Sequence, residues 1–418
     1  MTAQIITTIA GTSVSGFSGD GGPATTAQLS QPYGIVADLS GNIYFTEEGN
    51  NVVRKINSSG IISTIAGTGI AGFGGDGGPA TAALLNMPIG MTIDASGNLY
   101  VCDSRNSRVR KISTSGIITT AAGNGSSIHS GDGGAATAAG FTNLFDLTVD
   151  VLGNVYIAEQ LYIRKVDPLG IITTVVGNGS SLLEGASAVL SQINYPYGVI
   201  ADNIGNIYFT LGSRNKVMKV NSAGIISTFA GNGSSGYSGD GGPATTAEFY
   251  TPYGLHMNGS GDMYVSDYFN GAIRKISNTG IISTYAGTGI LGYDGDGGPA
   301  IIAKVNNCSD VFLTSTGDLL IADTHNNVIR KVKPTIPASV NIASIPVFDL
   351  YPNPTNSHLR INSKDQISSV IISDVAGRIV YKNEYNSHEV AIDISELSTG
   401  IYCVNINNIE IKTFVKNN

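Results

Sequence analysis

Ile61-Ile62-Ser63-Thr64-Ile65-Ala66-Gly67 is one copy of a phrase that occurs six times, starting at Ile5, Ile61, Ile117, Ile171, Ile225 and Ile281. The starts are 56, 56, 54, 54 and 56 residues apart. A period this regular means that one supersecondary unit is stacked repeatedly, so the unit is read before any local motif. Outward from Ile61, residues 32–67 hold four runs of alternating apolar residues separated by turn chemistry. They are Tyr33-Gly34-Ile35-Val36-Ala37-Asp38, Ile43-Tyr44-Phe45-Thr46-Glu47, Asn51-Val52-Val53-Arg54-Lys55-Ile56 and Ile61-Ile62-Ser63-Thr64-Ile65-Ala66. Alternation at this length is the signature of a half-buried strand, and Leu39-Ser40-Gly41-Asn42 and Asn57-Ser58-Ser59-Gly60 are turn sequences.

Four short antiparallel strands per unit make one blade of a β-propeller. The unit recurs with first strands starting at Gly90, Asp146, Gly198, Gly254 and Asp310. The last unit has no fourth strand after Lys331, because Pro334 and a new composition follow, whereas Ile5-Ile6-Thr7-Thr8-Ile9-Ala10 is a fourth strand with no blade before it. The N-terminal strand is therefore expected to complete the last blade, hiding the open edges of the ring. The expectation is an all-β chain: a six-bladed propeller over 1–332, a Pro-containing linker over 333–347, and a small β-sandwich over 348–418.

Composition agrees. Glycine at 54 residues, no tryptophan and 13% charged residues describe many strands joined by tight turns, and 42% apolar content fills a large core. The formal charge of -8 argues against a nucleic-acid partner, which calls for a basic surface. Cys102, Cys308 and Cys403 show no CxxC spacing, so neither a disulfide framework nor a Cys-based metal cluster is expected. No run of eighteen apolar residues predicts a membrane-spanning segment. Met1-Thr2-Ala3-Gln4 leads straight into a strand, and Ala3-Gln4 resembles a pair found around signal-peptide cleavage points. An export signal peptide absent from this sequence is expected ahead of it.

The units resemble the NHL-repeat family, as in Pro88-Ile89-Gly90-Met91-Thr92-Ile93-Asp94 followed by Gly97-Asn98-Leu99-Tyr100-Val101-Cys102-Asp103. The resemblance covers residues 5–332 and implies the fold, which hosts unrelated activities. Two units depart from it: the one from Asp146 has a shortened second turn, and the one from Gly198 carries Leu211 where an acid is usual. Those blades are expected to be less regular.

The tail opens on Phe348-Asp349-Leu350-Tyr351-Pro352-Asn353-Pro354 and continues through Asp374-Val375-Ala376-Gly377-Arg378 and Leu397-Ser398-Thr399-Gly400-Ile401-Tyr402. These stretches resemble the C-terminal sorting domain of the type IX secretion system. The resemblance rests on Tyr351, Pro352, Asn353, Pro354, Gly377, Arg378, Gly400 and Tyr402. It implies export across the outer membrane of a gram-negative cell by that machinery, to a secreted or surface-attached product, with an Ig-like β-sandwich as the signal.

An addition to the plain repeat is a long loop between the fourth strand and the next first strand, residues 11–31 in the first instance. It carries Gly19-Asp20-Gly21-Gly22-Pro23-Ala24-Thr25, and the phrase returns around Asp76, Asp132, Asp240 and Asp296, decaying to Leu183-Glu184-Gly185-Ala186 in the remaining unit. Gly permits positive φ and Pro followed by Ala-Thr suits a first helical turn, which predicts a tight turn and a short helix ending near Leu29. Strand directions put these loops on one face with the turns 47–51, 103–108, 267–271 and 323–327. That face is the expected binding surface, because loops on a rigid scaffold carry recognition. Its candidates are the aspartates Asp20, Asp76, Asp132, Asp240 and Asp296 together with Phe17, Phe73, Tyr237, Tyr293, Tyr268, Phe269 and His325. The four loop aromatics have an equally simple reading as packing groups.

No catalytic residue is assigned. The acids Glu47, Asp103, Glu159, Asp267 and Asp323 and the arginines Arg54, Arg110, Arg164, Arg274 and Arg330 repeat with the blade, as structural groups do, and are expected to pair between blades. A metal is not expected; Asp294 with Asp296, and His256 on a first strand near the channel, are the candidates if one binds, with Ca²⁺ the possible ion. The resulting reading is an exported, non-enzymatic, monomeric scaffold that binds a protein or carbohydrate partner. The alternative is a metal-dependent lyase or lactonase centred in the channel.

Overall fold

The computed structural model describes residues 4–334, 348–374, 379–407 and 410–417. The chain forms two compact units, Met1–Thr335 and Ile336–Asn418. Most of the expected linker, 335–347, and the Gly377-Arg378 turn lie outside the described residues.

The first unit is a six-bladed propeller of four-stranded antiparallel sheets. Blade 1 consists of Pro32–Ala37, Ile43–Glu47, Val52–Ile56 and Ile62–Ala66, hydrogen-bonded in chain order. The same order recurs in blades 2 (88–122), 3 (144–176), 4 (199–230) and 5 (252–287). Blade 6 joins Asp310–Leu313, Leu319–Asp323 and Val328–Lys333 to the N-terminal strand Ile5–Ala10, with Ile5 opposite Lys333 and Thr8 opposite Arg330. The ring is thus closed by its own N-terminus, which leaves no blade short of an edge.

Each inter-strand turn is stabilised from within. The Asp38 carboxylate accepts from the amides of Ser40 and Asn42, both at 2.9 Å, while Gly41 takes φ +79°. Cores lie between blades. Phe45, Ile56 and Ile62 of blade 1 pack with Leu320, Ala322 and Ile329 of blade 6, and Ala24, Ala27 and Leu29 of the connecting loop fill the gap.

That loop explains the repeated GDGG phrase. Gly21 donates to the Ile62 carbonyl (2.8 Å), Ile62 donates back to Gly22 (3.0 Å) and Ala24 donates to Gly60 (2.9 Å), so the loop lies along the exposed edge of the outer strand of blade 1. Gly19 and Gly21 adopt φ +94° and +81°, which only glycine reaches without strain. The predicted helix is a single 3₁₀ turn, Ala24–Thr26, because Ala27 returns to extended geometry (φ -76°, ψ 150°). That return buries Ala27 and Leu29 between blades, where a continued helix could not place them.

Under each of the five loops that keep the GDGG phrase lies a fully buried arginine. Arg54 bonds Glu47 at 2.8 Å and Asp20 at 2.7 Å. Arg110 holds Asp103 and Asp76, Arg164 holds Glu159 and Asp132, Arg274 holds Asp267 and Asp240, and Arg330 holds Asp323 and Asp296. The expected pairing between blades is corrected here. The acid at the end of the second strand belongs to the same blade as its arginine, and the loop aspartate comes from the segment entering that blade. Burial pushes Asp267 up to about 6 and Asp323 up to about 7, and Asp323 is the one whose arginine nitrogen stands off at 3.8 Å.

The two irregular blades compensate locally. In blade 4 the arginine and acid are replaced together by Met218 and Leu211, both buried, while Lys216 takes over the loop through Glu184 at 2.8 Å. Its first strand shrinks to Val199–Ala201. In blade 3 the shortened turn lacks the asparagine that elsewhere donates to the acid, as Asn106 does to Asp103 at 2.8 Å. His129 replaces it from the loop, 2.8 Å from Glu159 and stacked on Tyr162 at 3.8 Å.

The second unit is one five-stranded sheet: Phe348–Tyr351, His358–Asp374, Ile379–Asp393, Gly400–Ile406 and Glu410–Lys416. The long second strand pairs with Phe348–Tyr351 through its first half and with Gly400–Ile406 through its second. Leu359 and Ile361 from one half share a core with Val370, Ile372, Val404 and Phe414 from the other, so a single sheet closes around its own core in place of the two separate sheets of the expected sandwich. In the Tyr-Pro-Asn-Pro motif the prolines have no N–H, and Asn353 substitutes with its side chain. It donates to the Thr413 carbonyl (3.0 Å) and accepts from the Val415 amide (2.9 Å). Tyr402 is buried and donates to the Ser398 carbonyl at 2.9 Å, just past Gly400 at the start of its strand.

Arg110→Met alone should lower stability by about 3–5 kcal/mol, because Asp103 is left buried and unpaired. Adding Asp103→Leu, which reproduces the pair found in blade 4, should recover most of that loss. Chemical denaturation of the two variants checks this, Asp76 remaining solvated in both since its side chain is 39% exposed.

Candidate functional site

Six first strands converge on the propeller axis, and their equivalent positions form rings. The second position of each unit is Tyr33, Ile89, Phe145, Tyr197, Tyr253 and Ser309. This ring opens onto a depression of about 750 Å³ on the face that carries the long loops and second turns. A further ring comes from the residues after the second strands, among them Glu48, Ser104, Tyr268 and Thr324, with Arg105 and His325 one residue on. The rim backbone is held in left-handed geometry: Gln31, Met87, Tyr195 and Thr251 have φ between 50° and 56°. Asparagines of the preceding blade fix three of them, Asn327 accepting from Gln31, Asn51 from Met87 and Asn215 from Thr251 at 2.8–2.9 Å.

The mouth is asymmetric. Blades 3 to 5 build an aromatic wall in which Tyr197 stacks on Tyr253 (4.0 Å, 11°) and Tyr253 on Tyr268 (4.5 Å, 25°). Phe145 meets Tyr197 edge-on at 5.0 Å, and Tyr195 lies 6.1 Å from both. Tyr33 contacts Tyr253 from across the ring at 6.0 Å. Blades 1, 2 and 6 supply the polar wall: Gln31, Glu48, Asn86, Arg105 and His325, the last 3.4 Å from the Tyr268 hydroxyl. Burial raises Glu48 above the ordinary carboxylate range, and Arg105 opposes that rise. Burial also raises the phenols of Tyr33, Tyr197 and Tyr253, and pushes Tyr268 up to about 12. All four therefore present protonated hydroxyls that donate hydrogen bonds at neutral pH.

Below this ring the next position reads Gly34, Gly90, Asp146, Gly198, Gly254 and Asp310. A Cβ at Gly34 would lie 2.6 Å from the Ile89 carbonyl, so glycine lets neighbouring first strands touch at this waist. Beneath the waist a cavity of about 280 Å³ is lined by Val36, Thr92, Thr148, Ile200, His256 and Phe312, and both aspartates border it. His256 has its ring 4.5 Å from Phe312, and desolvation lowers it to about 4.

The residues singled out in the sequence fall into two groups. Phe17, Phe73, Tyr237 and Tyr293 lie outside the mouth, each covering a buried arginine at 5.0–5.2 Å while remaining half-exposed. The aspartates beneath them hold those arginines, and Asp294 and Asp296 are ion-paired to Lys304 and Arg330. Tyr268 and His325 line the mouth, and exposed Phe269 packs beside it against Tyr250 at 5.0 Å. Sequence reasoning missed Tyr33, Phe145, Tyr195, Tyr197 and Tyr253, and the waist aspartates. The signal was present: an aromatic at the second position in four of six units, and Asp in place of Gly in two.

His256 makes stability fall with acid. It is neutral in the fold with a lowered value, so its contribution is complete above its ordinary 6.5 and is lost as pH falls from there towards 4. At pH 5 the loss is roughly 2 kcal/mol. His256→Phe should remove it, so the melting difference between variant and wild type should grow from pH 7.5 to pH 4.5.

Comparison with known proteins gives the repeats and the tail separate relatives. Residues 13–73, 71–130 and 124–184 match the Teneurin NHL domain, and 349–417 match the secretion system C-terminal sorting domain. Human Teneurin-4 is 25% identical over 365 residues, covering 75% of this chain and 12% of Teneurin-4, so the chain spans about an eighth of that relative. A structural-genomics protein of unknown function from Bacteroides thetaiotaomicron superposes with a TM-score of 0.60 at 19% identity, covering 80% of this chain and 76% of its own. An auxiliary nutrient binding protein from Bacteroides ovatus does so at 0.58 and 15%, covering 80% and 78%. Among the described residues no helix is long and apolar enough to cross a membrane. The chain is an NHL-repeat six-bladed β-propeller carrying a type IX secretion sorting domain, exported across the outer membrane to be secreted or held at the cell surface.

Proposed function

We propose that the exported propeller is a binding module that takes a carbohydrate chain in the mouth of its channel. The observation that carries this reading is the pairing of an aromatic wall (Phe145, Tyr253 and Tyr268, with Tyr195 and Tyr197 stacked behind them) with a polar wall (Gln31, Glu48, Asn86, Arg105, His325) across one open depression. A sugar ring has an apolar C–H face that packs on an aromatic and hydroxyls at its edge that need donors and acceptors. Such sites combine apolar lining with a few placed polar groups. The likeness to nutrient-binding propellers agrees in fold alone. The loop aromatics Phe17, Phe73, Tyr237 and Tyr293 are committed to arginines and are left out of the site.

A lyase or lactonase in the channel is the second reading, motivated by His256, Asp146 and Asp310 bordering one cavity. Among the described residues no three His, Cys, Asp or Glu side chains gather in a way that could hold a metal ion. Stoichiometric metal retained on purification, together with turnover lost in His256→Ala, would favour it.

Titration calorimetry against a panel of soluble oligosaccharides tests the binding reading. Tyr197→Ala and Tyr253→Ala should weaken the best binder about tenfold or more, as truncation of a buried aromatic anchor does. Phe17→Ala and Tyr237→Ala should stay within about twofold. Binding lost in the second pair and kept in the first would move the site to the outer loops, and no carbohydrate binder would overturn the reading.

A further inference from the structure

We propose that Asp146 and Asp310 share one proton across the waist of the channel and act as a pH-sensitive latch beneath the mouth. They are the two positions of the waist ring where a carboxylate replaces glycine, and they stand three repeats apart, on opposite blades. Each spans three consecutive blades. Asp146 of blade 3 occupies the space beside Gly90 of blade 2 and accepts the Val199 amide of blade 4 at 2.9 Å. Asp310 of blade 6 lies beside Gly254 of blade 5 and accepts the Ile35 amide of blade 1 at 3.0 Å. The two carboxyls therefore tie together blades 2, 3 and 4 and blades 5, 6 and 1, and between them hold the whole ring at the axis.

Among the described residues no Lys or Arg lines the cavity that both border. The other titratable groups facing them are His256 from the first strand of blade 5 and the Cys102 thiol from the second strand of blade 2. Neither brings a compensating charge at neutral pH: burial keeps the imidazole unprotonated and the thiol protonated. Two like charges in such a place repel, and a carboxyl pair answers by retaining a proton. Burial raises both carboxyls, and Asp146 raises Asp310 further.

The latch reaches the mouth through the backbone. Phe145 and Ser309 immediately precede the two aspartates. Val199 and Ile35, whose amides they accept, lie two residues past Tyr197 and Tyr33. Ser309 also donates to the Tyr33 carbonyl at 2.9 Å. Loss of the shared proton would set blades 3 and 6 against each other directly below the aromatic wall. The consequence for ligand affinity rests on the proposed role of the mouth. The proton sharing does not, and is tested with no ligand present.

Thermal melts of the full chain in EDTA, from pH 5 to pH 9, test it on wild type, Asp146→Asn, Asp310→Asn and the double variant. A raised carboxyl contributes most below its ordinary value, and that contribution is lost as pH rises through the folded value. Wild type should therefore lose a few degrees towards pH 9, by about 2 °C for each tenfold change in the folding constant of a propeller this size. Either single substitution should remove its own share of that loss together with the mutual repulsion, leaving only what burial gives the remaining carboxyl, so the two single effects should sum to more than the effect of the double. A pH-independent offset, or additive singles, would overturn the proposal. So would a Ca²⁺-dependent rise in wild-type melting that disappears in Asp146→Asn, which would make the pair a cation site. If the variants do not fold, wild type labelled at the aspartate carboxyl carbon decides by NMR. Two resonances titrating together above about pH 6 support the pair, and aspartates that all titrate near the ordinary 3.9 contradict it.

Discussion

Five fully buried arginines hold this propeller's edges in place. Each is clamped between an acid at the end of its blade's second strand and an aspartate from the loop that enters the blade. The loop aspartate turns back to the outer strand as well, as Asp20 does to the Thr64 amide at 3.1 Å. One cation therefore fastens the loop to the strand edge it covers. Covered edges suit a protein that travels outside the cell, where an open strand would pair with whatever it met. Blade 4 shows that the device is replaceable as a set: arginine and acid become Met218 and Leu211 together, and the loop finds Lys216 instead. A buried pair tolerates joint replacement far better than the loss of one member.

A scaffold this regular leaves function to the positions that break the repeat. Above the waist, aromatics crowd blades 3 to 5 while charged and amide groups face them from blades 1, 2 and 6. At the waist, two of six glycines are aspartates. Both departures lie around the axis, on the first strands and the turns beside them, where six blades converge and one substitution changes a shared cavity. Substitutions on outer strands change only a local surface, so the axis is where a symmetric ring acquires a direction.

Much of the architecture could be read from the chain. The period set the blade count, and Ile5–Ala10, a fourth strand with no blade before it, required closure against Val328–Lys333. The tail's motifs gave the export domain. The GDGG loops were read as a binding surface, and the structure shows their aspartates and aromatics engaged with buried arginines. Their aromatics look exposed in sequence because they flank glycines, yet each lies over an arginine 37 residues further along for Phe17, Phe73, Tyr237 and Tyr293 alike. Pairing across that separation follows from the loop folding back along the outer strand, which local patterns do not encode. The mouth was missed for a related reason: Tyr33 and Tyr253 read as ordinary strand residues until closure brings their blades together. His129 reads as a lone histidine until the shortened turn of blade 3 shows what it replaces.

The mouth as a carbohydrate site is tested most directly by ring-labelled tyrosine NMR of the whole chain during titration with the best-binding oligosaccharide. Of the 19 tyrosines, those at the axis, Tyr33, Tyr195, Tyr197, Tyr253 and Tyr268, should shift together and saturate with one affinity. Tyr237 and Tyr293, stacked over their arginines, should stay where they are. Shifts confined to Tyr237 and Tyr293, or saturable binding that moves none of the axial rings, would contradict it.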